Sequence, residues 1–227
     1  MRRIRQVFYS HSRAAMTARK KPTISSRKQP QQERSTVLVA AILQAATQVL
    51  AKEGAQRFTT ARVAEKAGVS VGSVYQYFPN KAAILFRLQS DEWRQTSDLL
   101  RGILADTKTP PLKRLRKLVH AFIRSECEEA AMRVALDDAA PLYRDTPEAR
   151  EAKAEADPTI AAFMRELLPK ASAAKRTLAG DLIKTTLSAV GKQFSESPRT
   201  PAEIDAYADA LADMFCAYLE SLAARRK

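Results

Sequence analysis

The residues best suited to chemistry run Thr59-Thr60-Ala61-Arg62-Val63-Ala64-Glu65-Lys66-Ala67-Gly68-Val69-Ser70-Val71-Gly72-Ser73-Val74-Tyr75-Gln76-Tyr77-Phe78. Their spacing suits hydrogen bonding to nucleic acid rather than bond breaking. Two short helices that cross at a sharp turn need a small residue where the second lies over the first, and Ala64 stands there. Further on, the turn itself needs a residue that tolerates positive φ, which Gly68 supplies. Val63, Ala67, Val69 and Val74 flank the crossing, and Thr59 and Ser70 are natural N-caps for the two helices. In such a helix-turn-helix the second helix presents its N-terminal end to base edges in the major groove. That surface comprises Ser70, Val71, Gly72, Ser73, Tyr75 and Gln76, with Val74 turned inward. Gln76 suits a bidentate bond to adenine and Val71 a thymine methyl, while Gly72 leaves room for close approach. Thr59 and Thr60 begin a helix whose unpaired amides attract phosphate, and Arg62 reaches toward phosphate or base. The plainer alternative is an αα-hairpin whose small residues only pack. A lone Ala-x-x-x-Gly would not separate the two readings; the full set favours DNA.

Other chemistries have thinner material. The histidines are His11 and His120 and the cysteines Cys127 and Cys216, too few for a disulfide framework or a four-ligand zinc site. A hydrolase-like enzyme would need Cys127 or Cys216 paired with His120, without any supporting motif. The expectation is therefore no enzyme, no cofactor and no metal. Buried inert thiols and a satisfied boundary histidine are the default readings, and Glu126, Glu128, Glu129, Asp137 and Asp138 read as solvated helix faces.

The elements around these residues follow from composition and periodicity. The chain has 227 residues, 45% hydrophobic and 28% charged, with a formal charge of +13. Residues 1–34 hold ten basic side chains against Glu33 alone, whereas residues 95–227 are nearly balanced, so an acidic partner belongs to the N-terminal part. Residues 1–34 lack the apolar core of a secretory signal; their Arg- and Ser-rich composition mimics a mitochondrial presequence. They read as a disordered basic arm, or as an upstream extension with Met16 the real start. No run of about 18 apolar residues is present, so no membrane span is expected, and the two lone cysteines fit a reducing, cytoplasmic setting. Scarce Gly with abundant Ala and Leu predicts an all-α fold.

A helix is expected over residues 35–53, with Leu38, Ile42, Ala45 and Val49 as its stripe, Gly54 at its end and Phe58 anchoring the exit. Pro79-Asn80-Lys81 opens another, running to about Leu104, with Lys81 in its first turn and Trp93 at the domain junction. Further starts are read at Thr109-Pro110-Pro111, Asp145-Thr146-Pro147-Glu148 and Thr200-Pro201-Ala202-Glu203. A helix over residues 173–196 carries Ile183, Leu187, Val190 and Phe194. In the last helix Ile204, Ala208, Leu211, Phe215, Tyr218 and Leu222 form a seam that must be covered, either by the chain's own core or by another subunit.

Residues 35–88 closely resemble the DNA-binding domain of TetR-type (tetracycline-repressor-like) bacterial transcription regulators. Ile42, Ala45, Ala46, Gly54, Phe58-Thr59-Thr60, Val63-Ala64, Ala67-Gly68-Val69-Ser70, Gly72-Ser73, Val74 to Phe78 and Asn80-Lys81 carry the likeness. The resemblance implies an N-terminal three-helix DNA-binding domain over residues 35–88, then a helical ligand-binding and dimerisation domain over residues 89–227. It implies backbone contacts from Tyr75, Tyr77 and Lys81, and a homodimer formed by the last two long helices. Such a dimer, repressing from a palindromic operator, sets two recognition helices about 34–36 Å apart. It also implies an unidentified small-molecule effector in a cavity for which Phe122, Met132, Leu136, Tyr143, Phe163 and Met164 are candidate lining.

Overall fold

Two glycines mark where the chain leaves one helix for the next. In the computed structural model, which describes residues 23–25, 33–154 and 158–224, α1 (Glu33–Arg57) breaks at Gly54, with φ 72° and ψ 173°. That region is open essentially to glycine alone. α2 (Thr60–Ala67) starts at Thr59, whose hydroxyl accepts the Arg62 amide at 3.3 Å, and stops at Gly68 in the left-handed region. α3 (Val71–Tyr77) starts at Ser70, which accepts the Ser73 amide at 3.0 Å. α4 (Lys81–Ala105) starts at Asn80, which accepts the Ala83 amide at 2.9 Å. Each such cap is worth about 1 kcal/mol against alanine.

Downstream lie α5 (Pro111–Glu128), α6 (Ala130–Ala139), a 3-10 turn over Ala140–Leu142, α7 (Pro147–Ala154), α8 (Pro158–Leu167), α9 (Ala173–Ser195) and α10 (Pro201–Ala224). Four of these helices, α5, α7, α8 and α10, open on proline, where the missing amide costs nothing. At α10 the Thr200 hydroxyl accepts the Glu203 amide while the Glu203 carboxylate accepts the Thr200 amide at 2.7 Å, a reciprocal capping box. Among the described residues every regular element is helical.

Two apolar cores organise these helices. The first joins α1, α2, α3 and the start of α4 through Ile42, Ala46, Leu50, Phe58, Val63, Val74, Phe78 and Ile84. It also takes in Ala135, Leu136, Ala139, Tyr143 and Ala149, so it extends well past residue 88. α6 lies along α1 and supplies that extension. The second core joins Leu104 of α4 to α5, α8, α9 and α10. Among the described residues α4 alone contributes buried side chains to both.

The second core decides what covers the last helix. α10 packs along α5. Ile183, Leu187, Ile204, Ala208, Leu211 and Phe215 are buried in this core, and Val190, Phe194, Tyr218 and Leu222 pack against it. The seam expected between subunits is thus turned to the chain's own interior, because α5 offers a matching face of Leu115, Leu118, Val119 and Phe122. By length and composition α1, over Ser35–Arg57, is apolar enough to cross a membrane, which a search for unbroken apolar runs does not flag. In the fold, Val39, Ile42, Ala45, Ala46, Val49 and Leu50 bury that apolar content in the first core.

Candidate nucleic-acid interface

Val63, Ala64, Val74, Tyr77 and Phe78 lock α3 across α2 from beneath, all buried in the first core. With that face fixed, the opposite face of α3 must point to solvent. Val71 and Tyr75 are 40% and 41% exposed, among the most exposed large apolar residues described. Gln76, Ser70 and Gly72 are exposed beside them, and Ser73 is half-buried. The Ser70 and Ser73 hydroxyls lie 2.8 Å apart, and whichever of them accepts keeps its own O–H for another partner. Gly72 has no structural obligation: a Cβ there would meet only the Ser70 hydroxyl, at 3.6 Å, an ordinary contact.

The flanking residues divide. Thr59 is exposed at the start of α2 and Lys81 is half-buried at the start of α4. Thr60 and Tyr77 are buried, so their side chains belong mainly to the core. Arg62 turns back and pairs with Glu53 at the end of α1, which neutralises it in the free protein. Of the eleven residues expected at a DNA surface, α3 and the two helix starts bring most together, while Thr60, Tyr77 and Arg62 have intramolecular roles.

The residues proposed for other chemistry settle differently. Burial pushes both the Cys127 and the Cys216 thiol up, the reverse of what a nucleophile needs. His120 is half-buried, with Nε2 3.0 Å from Asp209 of α10, a satisfied boundary histidine. It is the middle rung of a ladder in which Arg116 pairs with Asp213 and Arg124 with Asp205, tying α5 to α10 along their outer edge. Among the described residues no group of three His, Cys, Asp or Glu side chains is placed to hold a metal. The expected cavity lining does not converge: Phe122, Phe163 and Met164 lie in the second core, Leu136 and Tyr143 in the first, and Met132 packs on the first. An open groove of about 810 Å³ instead follows the outer face of α5, between Leu99, Lys113, Lys117, His120 and Ser125.

A buried polar joint between the cores had no sequence signal. Arg133 of α6 pairs with Glu126 of α5 at 2.7 Å and with Glu92 of α4 at 3.0 Å. Gln89 donates to Glu92 at 3.0 Å, and the Tyr143 hydroxyl lies within donating distance of Gln89, at 3.3 Å. Burial raises both glutamates despite the shared arginine, which pulls the other way. The joint connects α4, α5 and α6, one element of which lies along α1.

Comparison with known proteins bears on this arrangement. Residues 42–88 match the model of bacterial regulatory proteins of the tetR family, and residues 110–222 that of the tetracyclin repressor-like C-terminal domain. The HTH-type transcriptional regulator TtgR of Pseudomonas putida is 38% identical over 81 residues, covering 35% of this chain and 38% of TtgR. The nucleoid occlusion factor SlmA of Vibrio campbellii is 37% identical over 83 residues, 36% of this chain and 42% of SlmA. The chain thus matches about two fifths of the length of these relatives. A putative TetR-family regulator from Mesorhizobium loti has a similar structure, with TM-score 0.64 and 20% identity, over 82% of this chain and 98% of that one. The regulator FadR of Bacillus subtilis, solved in complex with stearoyl-CoA, gives TM-score 0.58 and 16% identity, over 78% and 97%. At such identities the likeness is one of fold.

Proposed function

Because this chain belongs to the tetR family of bacterial regulatory proteins, we propose that it is a sequence-specific DNA-binding repressor, a homodimer released from a palindromic operator by a small-molecule effector. The outward face of α3 carries this reading: Val71, Tyr75 and Gln76 are exposed around a glycine that the fold itself does not require. Val71 and Gln76 read base edges with Ser70 and Ser73, while Thr59, Tyr75 and Lys81 hold phosphates. Arg62 joins them only by leaving Glu53. The protein acts in the cytoplasm, on the nucleoid when bound.

The dimer is built from the sides of α9 and α10 that the chain's own core leaves uncovered. Leu178, Leu182 and Met214 are 66%, 48% and 51% exposed. On α9, Ala174, Leu178, Leu182, Thr185 and Ala189 form one exposed stripe at spacings of four, four, three and four; on α10, Ala206, Ala210, Met214, Ala217 and Ser221 repeat the same spacing. Two helices per subunit with such stripes suit a four-helix interface. Effector binding in the helical half favours a conformation whose two α3 helices no longer match the half-site spacing. DNA affinity then falls by the effector's differential affinity for the two states. An effector of any class that prefers one state suffices.

The test is selection of bound sequences from a random duplex pool with purified full-length protein at near-physiological salt. A two-fold symmetric motif is expected. Enrichment of nothing, with binding that vanishes as salt rises, would overturn the proposal.

A further inference from the structure

α4 turns back into α5 through residues 106–110, and the two helices pack together. The groove of about 810 Å³ on the outer face of α5 falls inside the roughly 300–1,000 Å³ range of ordinary ligand sites. Its floor is one row of α5 at spacings of four: Lys113, Lys117, Ala121 and Ser125. Two long cations give way along that row to two short side chains, which opens a trough over Ala121 with two ammonium groups at one end. Leu99 forms the wall on the side of α4; it is 48% exposed and belongs to neither core. Arg116, His120 and Arg124 form the wall on the side of α10, and each is already paired with an aspartate of that helix.

Lys113 and Lys117 differ from that paired wall. Among the described residues neither is in salt-bridge contact with a carboxylate, and Lys117 acts on Asp106 only at longer range. One helical turn apart, their ammonium groups reach the same anionic head. The far end of the groove carries Glu128, which repels such a head and so sets the direction in which a ligand lies. From Lys117 to Ser125 the row runs about 12 Å at 1.5 Å per residue, room for an apolar body beside Leu99. Ser125 is also where the groove meets the polar joint between the cores. Its hydroxyl accepts from the Arg133 guanidinium at 3.4 Å, and Arg133 belongs to α6, which lies along α1.

We infer that this outer groove is the effector site and that its occupant is an amphipathic anion, with its acidic head on Lys113 and Lys117 and its apolar body over Ala121. A cationic or neutral amphiphile offers nothing to two unpaired ammonium groups, and a small acid without an apolar body leaves Leu99 in water. The occupant lies between α4 and α5 and against the Ser125–Arg133 contact. Its binding therefore favours one arrangement of α4 and α6 about α5, the helices that reach the DNA-binding half. This rests on the effector-released repressor reading above and gives it a ligand class and a place.

The probe is decanoate, titrated into the full-length protein by calorimetry, with acetate as the head alone and decyltrimethylammonium as the charge-reversed amphiphile. One decanoate per subunit is expected, with no binding of either control. K113A/K117A should weaken decanoate roughly tenfold, the worth of two exposed ion pairs, and L99D should remove its binding. K52A/K66A takes the same charge from exposed positions in the DNA-binding half and should leave binding unchanged. With the operator recovered by selection, decanoate should lower the DNA affinity of the wild-type chain and leave that of L99D as it was. Binding that survives both groove variants, or equal binding of the cationic probe, would overturn the inference, as would groove binding without any change in operator affinity. If the wild-type chain selects no motif at all, the repressor reading has failed instead, and the calorimetry still decides the site.

Discussion

The turn between α2 and α3 and the layer of α5, α9 and α10 both depend on glycine, for opposite reasons. Gly68 is needed for its backbone: φ is +68°, and an added Cβ would meet nothing within 4 Å. Gly191, inside α9, is needed for its absent side chain: a Cβ there would come within 2.8 Å of the Phe122 ring and 3.0 Å of Glu126. The first requirement is local and belongs to a few neighbouring residues. The second comes from a helix distant in sequence. Regions of the first kind can be read along the chain, whereas regions of the second kind only take shape when the chain has folded.

The widest break in this comparison would come from the outer stripes of the second region. Leu182→Asp combined with Met214→Asp should leave the fold intact, yield a monomer by sedimentation, and reduce operator affinity by about 10²–10⁴ through lost bivalency. A dimer that persists would return the interface to some other face. Next, Gly191→Val should destabilise by about 1–3 kcal/mol through overpacking against Phe122, lowering the melting temperature while the selected motif stays the same. On the first region, Gln76→Ala should cost about 1–3 kcal/mol at one base pair and little elsewhere, whereas Lys81→Ala should weaken all duplexes alike. Equal loss on every sequence for Gln76→Ala would remove its reading role. Gly72→Ala should sharpen the contrast with Gly191, since it leaves the melt unchanged and weakens operator binding.

The smallest effect concerns pH. Glu92 and Glu126 hold their protons to higher pH in the fold than in the unfolded chain, because burial disfavours their charged forms. Between the ordinary glutamate value and the raised one, the native state binds more protons, so stability falls as pH rises through that window. Glu126→Gln removes one titrating group and should flatten that fall, measured by denaturant melts at a series of pH values.

Legibility followed the same division. Thr59, Gly68, Ser70 and Asn80 could be placed from sequence because caps and turns are set by residues within one helical turn of them. The stripe on α10 could also be read, but periodicity states only that a face is covered, not by what. Ile204, Leu211 and Phe215 are satisfied by α5 rather than by another subunit, and nothing in their spacing distinguishes the two. Arg114 is the extreme case. It is 1% exposed, pairs with Glu166 of α8 and lies 5.3 Å from the Phe163 ring. In sequence it is one more cation in a basic helix. Two signals do stand in the sequence: Ile24, buried in the first core, as an apolar residue in a basic stretch, and the glycines inside α9, which cost about 1 kcal/mol each against alanine unless close packing offsets them.

α4 contributes to both cores, and its stiffness turns this into leverage. A helix of 25 residues is roughly 37 Å long at 1.5 Å per residue. It is held near Leu104 in one core and carries Ile84 and Leu85 in the other, so it links the two as a single rod. A tilt of only about 5° about one end would sweep the other through roughly 3 Å over that length. In the proposed dimer, a shift far too small to disrupt either core at its own site would become, across two copies related by a two-fold axis, a mismatch of several ångströms between the two α3 helices.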